Sequence, residues 1–238
     1  LKSVIDAAGN PNSSSTVTNV QSNGDVAAGT ASKTSGLIYP EAGKTYTFSG
    51  SADDSLLVTI GGKNVASALW SKGPSITTTD AGFTPTTSGY YTIDIYHHNQ
   101  NGAGNYDVNL KVGTGPVRDL SSAGVPIYTG VADLIKAGVT VSDLHGINGK
   151  GFYEGYKLNE GAEDTTIHLS AINAVLTDND GSESLSVKIS GIPAGSLITD
   201  GTPGHTFTST GTGTFGVANV TGWNLSTLKL TPPTNFNG

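Results

Sequence analysis

The sequence predicts an all-β protein built of sandwiches, and three observations carry that reading. Glycine accounts for 33 of the 238 residues, about twice its usual share. Short segments alternate apolar and polar residues with the period of two expected of half-buried strands. Clusters of Gly, Ser, Asn and Asp punctuate those segments, as tight turns require.

Taken in order, residues 1–14 read as a linker or the end of a preceding segment. The Ser/Thr/Asn-rich stretch 10–23 is either part of that linker or an irregular first strand. Residues 45–49 (TYTFS) and 55–60 (SLLVTI) alternate as strands, the second closed by Gly61 and Gly62. Between them stand Asp53 and Asp54. Two adjacent carboxylates at a strand-to-strand corner repel each other, and no basic residue neighbours them in sequence. A hard divalent cation with oxygen ligands relieves that repulsion; the plainer alternative is a solvated turn.

Residues 90–96 (YYTIDIY) and 106–112 (YDVNLKV) are the next strands, joined by His97, His98 and the Asn/Gly-rich run to Asn105. Amide side chains and glycine-freed carbonyls suit Ca²⁺, although Asn and Gly also dominate ordinary hairpin loops. His97 and His98 are adjacent on a strand end and point to opposite faces, so they do not readily share one metal; a surface role is favoured, with one of them lining a binding site as the alternative. Residues 113–116 (GTGP) mark a domain boundary. Residues 131–138 form one short helix, with apolar positions 131, 134 and 135 and a glycine stop. Strands return at 166–170, 185–189, 206–209 and 228–230, spaced as in an immunoglobulin-like or cadherin-like sandwich. Residues 235–238 look like the turn before a further strand.

Composition narrows the function. Without Cys there are no disulfides or thiolate metal sites. Without Met, the sequence reads as an internal piece of a longer chain. No apolar run approaches the roughly 18 residues of a membrane span, and no signal peptide is present. A net charge of −7 with only 12 Lys plus Arg argues against nucleic acid as partner. No Gly-x-Ser-x-Gly elbow occurs. A glycosidase needs carboxylates facing each other across a sugar, roughly 5–9 Å apart, whereas Asp53 and Asp54 are neighbours suited to sharing one ion. The expectation is a binding protein, not an enzyme. Trp70 and Trp223 read as sandwich core. Tyr96 and Tyr106 are the stacking candidates beside the loop, with core packing equally open.

Residues 41–63 (EAGKTYTFSGSADDSLLVTIGGK) resemble the protective-antigen-type β-sandwich, in which a Y-T-F strand precedes an Asp-Asp corner and a V-x-I-x-G strand follows. Trp70, residues 87–96 and the Asn/Gly loop extend the resemblance over 15–113. The lectin branch of that family includes yeast flocculins and bacterial adhesin lectins. The resemblance implies Ca²⁺ held between the corner and the later loop, a cis Asp-Asp bond, and sugar hydroxyls completing the ion's shell. It places the metal on Asp53, Asp54, the Gln100 side chain and backbone carbonyls near Gly102 and Asn105, with Asn99 or Asn101 as alternatives to Gln100. Sugar contacts fall to Asp53, Asp54, Gln100, Asn101 and Tyr106. Gly61-Gly62 departs from the family's Asp-Gly and is a change of turn chemistry.

Residues 158–169, 176–185, 191–195 and 222–238 resemble the repeated Ig-like domains of large RTX adhesins, surface proteins secreted by the type I route. That match covers 117–238. It implies a second, structural Ca²⁺ on Asp178, Asp180 and Glu183 around the Gly181 turn, with Glu160 as a fourth ligand. A solvated Asp-Gly hairpin is the alternative. The two resemblances together imply a monomeric piece of a bacterial surface adhesin. It would bind vicinal diols of fucose-, glucose- or mannose-type sugars on cell-surface glycans or exopolysaccharide, in adhesion and biofilm formation. A calcium-stiffened spacer and an ancillary carbohydrate-binding domain of a glycosidase are the competing readings.

Overall fold

The computed structural model describes residues 1–22, 24–177, 180–210 and 215–236. It is mainly β, of sandwich type, with two short α-helices, α1 (Lys2–Ala7) and α2 (Val131–Lys136). The chain forms two compact units, Leu1–Gly155 and Tyr156–Gly238.

The first unit carries β1 (Thr30–Ile38), β2 (Tyr46–Asp53), β3 (Ser55–Ile60), β4 (Lys63–Ala68), β5 (Thr77–Thr78) and β6 (Tyr90–Asn99). It continues with β7 (Asn105–Val112), β8 (Val117–Asp119), β9 (Ile127–Tyr128), β10 (Thr140–Val141), β11 (His145–Ile147) and β12 (Lys150–Tyr153). One sheet runs β2-β7-β8; the larger runs β11-β12-β6-β3-β4-β5, with β1 also on β6 and β9 on β1. Strand parity builds the core between them. Tyr46, Phe48 and Ala52 of β2 and Val108 and Leu110 of β7 meet Leu56, Val58 and Ile60 of β3 and Ile93 and Ile95 of β6. Gly61 and Gly62 close β3 onto β4 with φ of 58° and 82°. Two successive left-handed residues give the turn that a right-twisted hairpin needs, which explains the glycine pair.

The opposite face of β6 buries a charge. Asp94 is 3 % exposed; its carboxylate accepts from Ser35 Oγ at 2.7 Å and pairs with Lys150 and Lys33, the partnering that makes a buried Asp tolerable. Beside it Asp6 of α1 accepts from Lys2 Nζ at 2.7 Å, Lys33 Nζ at 2.8 Å and the Tyr96 hydroxyl at 3.1 Å. Part of the stretch expected to be linker is therefore a helix tied to β1 and β6. Tyr96, completely buried there, is not available for stacking on a ligand.

The boundary also moves. Residues 113–116 are not a linker but the turn between β7 and β8: Gly113 has φ of 55°, the Gly115 N–H donates to Val112 O at 2.9 Å, and Val117 pairs with Lys111. The chain then returns to the sandwich through β9 on β1 and β12 on β6. Leu120, Val125 and Phe152 join its core. The predicted helix is present as α2 but belongs to this first unit; of its three apolar positions, only Leu134 is fully buried. Residues 20–22 and 24–29 act as an irregular strand along β7, bridging Gln21 to Asp107 and Val26 to Gly104.

β13 (Gly155–Tyr156) straddles the division in sequence. The second unit holds β14 (Ile167–His168), β15 (Lys188–Ile192), β16 (Leu197–Thr199), β17 (Thr206–Thr208), β18 (Gly216–Asn219) and β19 (Lys229–Thr231). They form a four-stranded sheet, β14-β19-β16-β17, and the pair β15-β18. Ile192, Ile198, Ala218, Val220 and Leu228 are its buried core, with Trp223 packed against them. Among the described residues no helix is long and apolar enough to cross a membrane.

Candidate functional site

Two antiparallel registers bring the acidic corner and the Asn/Gly loop together. β2 against β7 places Asp53 opposite Asn105, and β3 against β6 places Ser55 opposite His98. The two carboxylates therefore sit at the open end of the sandwich, where β6 turns into β7. The Asp53–Asp54 peptide bond is cis. The Asp54 N–H donates to His98 O at 3.2 Å, and the Gln100 N–H donates to Asp54 Oδ2. That Gln100 amide, assisted by the Asn101 N–H and opposed by burial, holds the Asp54 carboxyl below the usual carboxylate range.

The parity that buries Ile93 and Ile95 also carries His97 and Asn99 inward beneath the corner. His97 is 2 % exposed, and its Nε2 lies 2.9 Å from Asp53 O. A carbonyl only accepts, so Nε2 carries the proton. Burial pushes the pKa of this ring down. The surface role expected of His97 is thus replaced by a structural one: it supports Asp53 from below. The Tyr106 ring lies 4.6 Å from the His97 ring, tilted by 43°, and packs half-buried against the core, which gives it a packing role beside the corner.

Asn99 is the residue of the loop that the structure singles out. Fully buried, it donates from Nδ2 to Val26 O at 2.7 Å and to Gly102 O at 3.1 Å. Both partners are acceptors, which fixes the amide orientation. Among the described residues its Oδ1 is buried without a hydrogen-bond partner, a costly state for a polar atom. An amide oxygen of this kind, on the strand end that runs into the loop facing the acidic corner, is the donor chemistry a hard cation takes. The Gln100 side chain, favoured from sequence, is exposed, and its backbone carbonyl accepts from the Gly29 N–H at 3.1 Å. The Asn101 and Gly102 positions are exposed at the loop tip. The Gly102 carbonyl keeps a second lone pair beyond the one Asn99 occupies. Alternation along β6 (Ile93, Ile95, His97, Asn99) was the sequence signal that marked Asn99 as inward-facing.

The loop is braced on its other side as well. Val26 and Gly104 exchange both backbone hydrogen bonds, at 2.7 and 3.0 Å. A Cβ at Gly104 would lie 2.6 Å from Asn99 Cγ and 2.7 Å from Asp53 O, so only glycine allows the loop to lie this close to the corner.

Beside the corner is a cleft of about 440 Å³ lined by Ser51, Ala52, Asp53, Asp54, Asn105, Trp70, Gly73 and Pro74. Trp70, expected in the core, is 73 % exposed. It opens a short 3₁₀ turn after β4, none of whose residues is buried.

The second expected metal site is less assembled. Asp178 lies outside the described residues. Glu160 is exposed and pairs with Lys157 at 3.3 Å. Asp180 accepts from the Ser182 N–H at 2.9 Å and, with Glu183, from the Ser182 hydroxyl. Among the described residues no three His, Asp or Glu side chains converge as a metal cluster.

No protein-family model matches the sequence, and no curated protein matches it. Among solved structures, the chain is similar to the PA14 domain of the MpAFP antifreeze protein, at 26 % identity over 41 % of this chain and 51 % of that one, with a TM-score of 0.31. The match thus spans about half the length of that structure. It is also similar to an anti-sigma factor domain-containing protein from Clostridium clariflavum, at 13 % identity over 92 % and 83 % of the two chains, with a TM-score of 0.37. Both likenesses are distant and carry no argument about the site.

Proposed function

We propose that the first unit is a calcium-dependent carbohydrate-binding module of a bacterial surface adhesin. The observation that carries the proposal is the convergence of the Asp53 and Asp54 carboxylates with a braced loop that presents the unpaired Asn99 Oδ1. Asp53, Asp54, Asn99 and loop carbonyls such as that of Gly102 would hold the ion. Ca²⁺ bound there would offer coordination positions to two vicinal hydroxyls of a fucose-, glucose- or mannose-type sugar. The two carboxylates would accept hydrogen bonds from the same hydroxyls. The residues serve binding and not turnover, because the carboxylates share one corner instead of flanking a scissile bond. An exposed monosaccharide site buries little surface, so affinity is on the order of 0.1–10 mM, raised by many copies acting together. Cell-surface glycans or exopolysaccharide are the partners this chemistry suits, outside the cell.

Calorimetric titration of glucose, fucose and mannose, each in calcium and in chelator, tests the reading. Binding is expected in calcium alone, and Asp54→Ala should abolish it while the sandwich stays folded by circular dichroism. Sugar binding that survives chelation, or persists in Asp54→Ala, would overturn the proposal. A spacer would bind none of the sugars.

A further inference from the structure

The two tryptophans are used differently. Trp223 stacks on His205 at 5.3 Å with ring planes 4° apart and packs on the second core. Among the described residues Trp70 makes no ring stack and no side-chain hydrogen bond, and it is 73 % exposed beside Leu69, itself 46 % exposed. A single exposed apolar side chain is ordinary; what distinguishes Trp70 is that it lines the same cleft as the Asp53-Asp54 corner.

Its position is nonetheless fixed. On one side Ala68 pairs with Leu56 in the sheet and is buried. On the other, the Ala52 N–H donates to Pro74 O at 2.7 Å, Ser75 bridges to Ser51, and the Ile76 N–H donates to Gly50 O at 3.0 Å. The 70–76 segment is therefore strapped to β2, the strand that ends in Asp53. The indole and the acidic corner line one cleft of about 440 Å³, a size in the range of roughly 300–1,000 Å³ typical of small-ligand sites.

We propose that Trp70 forms a second sugar subsite, so that the cleft recognises a glycan end of at least two pyranose rings. This rests on the carbohydrate reading above and adds its ligand class. The terminal sugar presents hydroxyls at Asp53 and Asp54. The next ring lays its axial C–H face on the indole, whose electron-rich face attracts that weakly positive C–H patch and whose apolar area leaves water on contact.

The test compares three probes in calcium, on the full chain. They are the monosaccharide that binds best among glucose, fucose and mannose, the same sugar extended by one β-linked pyranose, and that disaccharide reduced to its alditol, which keeps the hydroxyls but opens the second ring. Wild type should bind the disaccharide about tenfold tighter than the monosaccharide, the gain expected for one aromatic contact. The alditol should lose the gain. Trp70→Ala should bind monosaccharide as wild type does and lose the disaccharide gain, with an unchanged Tm; Trp70→Phe should keep part of it. In a Trp223→Phe background, the remaining indole fluorescence should shift with the disaccharide only. Equal affinities for the two sugars in wild type, a gain retained by Trp70→Ala, or a gain retained by the alditol would overturn the subsite while leaving calcium-dependent monosaccharide binding in place. Failure of wild type to bind any of the three monosaccharides would overturn both.

Discussion

Asp54 and Asp200 show how single side chains set the behaviour of each unit. Asp54 gains its low pKa from loop amides, so the charge that suits a cation also fastens the loop. Asp200, with its side chain fully buried, works within the second unit. Burial pushes its carboxyl up, but hydrogen bonds from His205 Nδ1 at 2.8 Å and from the Asn224 and Thr202 N–H groups at 2.7 and 2.8 Å outweigh burial and hold it well below the usual 3.8. As pH falls, the unfolded chain takes up this proton before the folded one. The stabilisation is complete above about pH 5 and is lost progressively as pH falls through the unfolded value of 3.8 and below. The Tm of the second unit should therefore fall between pH 5 and 2, and Asp200→Asn should lower it at neutral pH while flattening that dependence. A wild-type Tm constant over this range would show that Asp200 contributes nothing. At this scale the sequence was legible where chemistry is local. The Asp53-Asp54 dipeptide and the Asn/Gly loop announce themselves in adjacent letters. Trp70 did not, because its exposure depends on how the turn after β4 lies against the rest of the fold, which no neighbouring residue encodes.

At the scale of elements, the β6–β7 hairpin delivers the site and Gly104 is its closest approach. A methyl there would press on Asn99 and on the Asp53 carbonyl. Backbone atoms cannot move aside cheaply, so Gly104→Ala should cost about 1–3 kcal/mol of stability. It should also weaken calcium and sugar binding together, read by denaturant unfolding and by titration. Unfolding at the wild-type midpoint with full sugar affinity would mean that the loop does not lie against the corner. The strands around this hairpin were readable from alternation: the expected 55–60 is β3 itself, and the expected 45–49, 90–96 and 106–112 lie largely within β2, β6 and β7. β1 escaped notice because its residues up to Gly36 are polar or small and largely exposed, leaving only Leu37 and Ile38 to signal burial.

For the whole molecule, the division after Gly155 makes a prediction about fragments. A 1–155 fragment should fold alone and bind sugar as the full chain does. A 15–113 fragment should not, since it lacks Leu120, Val125 and Phe152 from the core and β9 and β12 from the sheet. Losing even two large apolar side chains removes about 1.5–3 kcal/mol each, a large part of a domain's usual 5–15 kcal/mol. Dispersed amide proton spectra from 15–113 would show that the shorter boundary suffices. The boundary misled the sequence reading for a physical reason. Gly-Thr-Gly-Pro has the composition of a linker, yet the same residues make a tight turn when the strands on either side pair. Only the long-range return of β9 and β12, invisible in local sequence, distinguishes the two.

The eight uninterrupted pairs between β2 and β7, from Tyr46 opposite Val112 to Asp53 opposite Asn105, divide the molecule into parts of fixed and of variable length. Because side chains alternate faces with a period of two, adding or removing one residue within either strand would turn Asp53 or Asn105 away from the site. Residues 70–72 lie beyond that ladder, at exposed positions where chain length changes no register. Diversification can therefore proceed by growing and shrinking this segment while the acidic corner and its bracing loop stay in place. Libraries that vary loop length there, and leave both strands untouched, are the direct route to altered sugar preference.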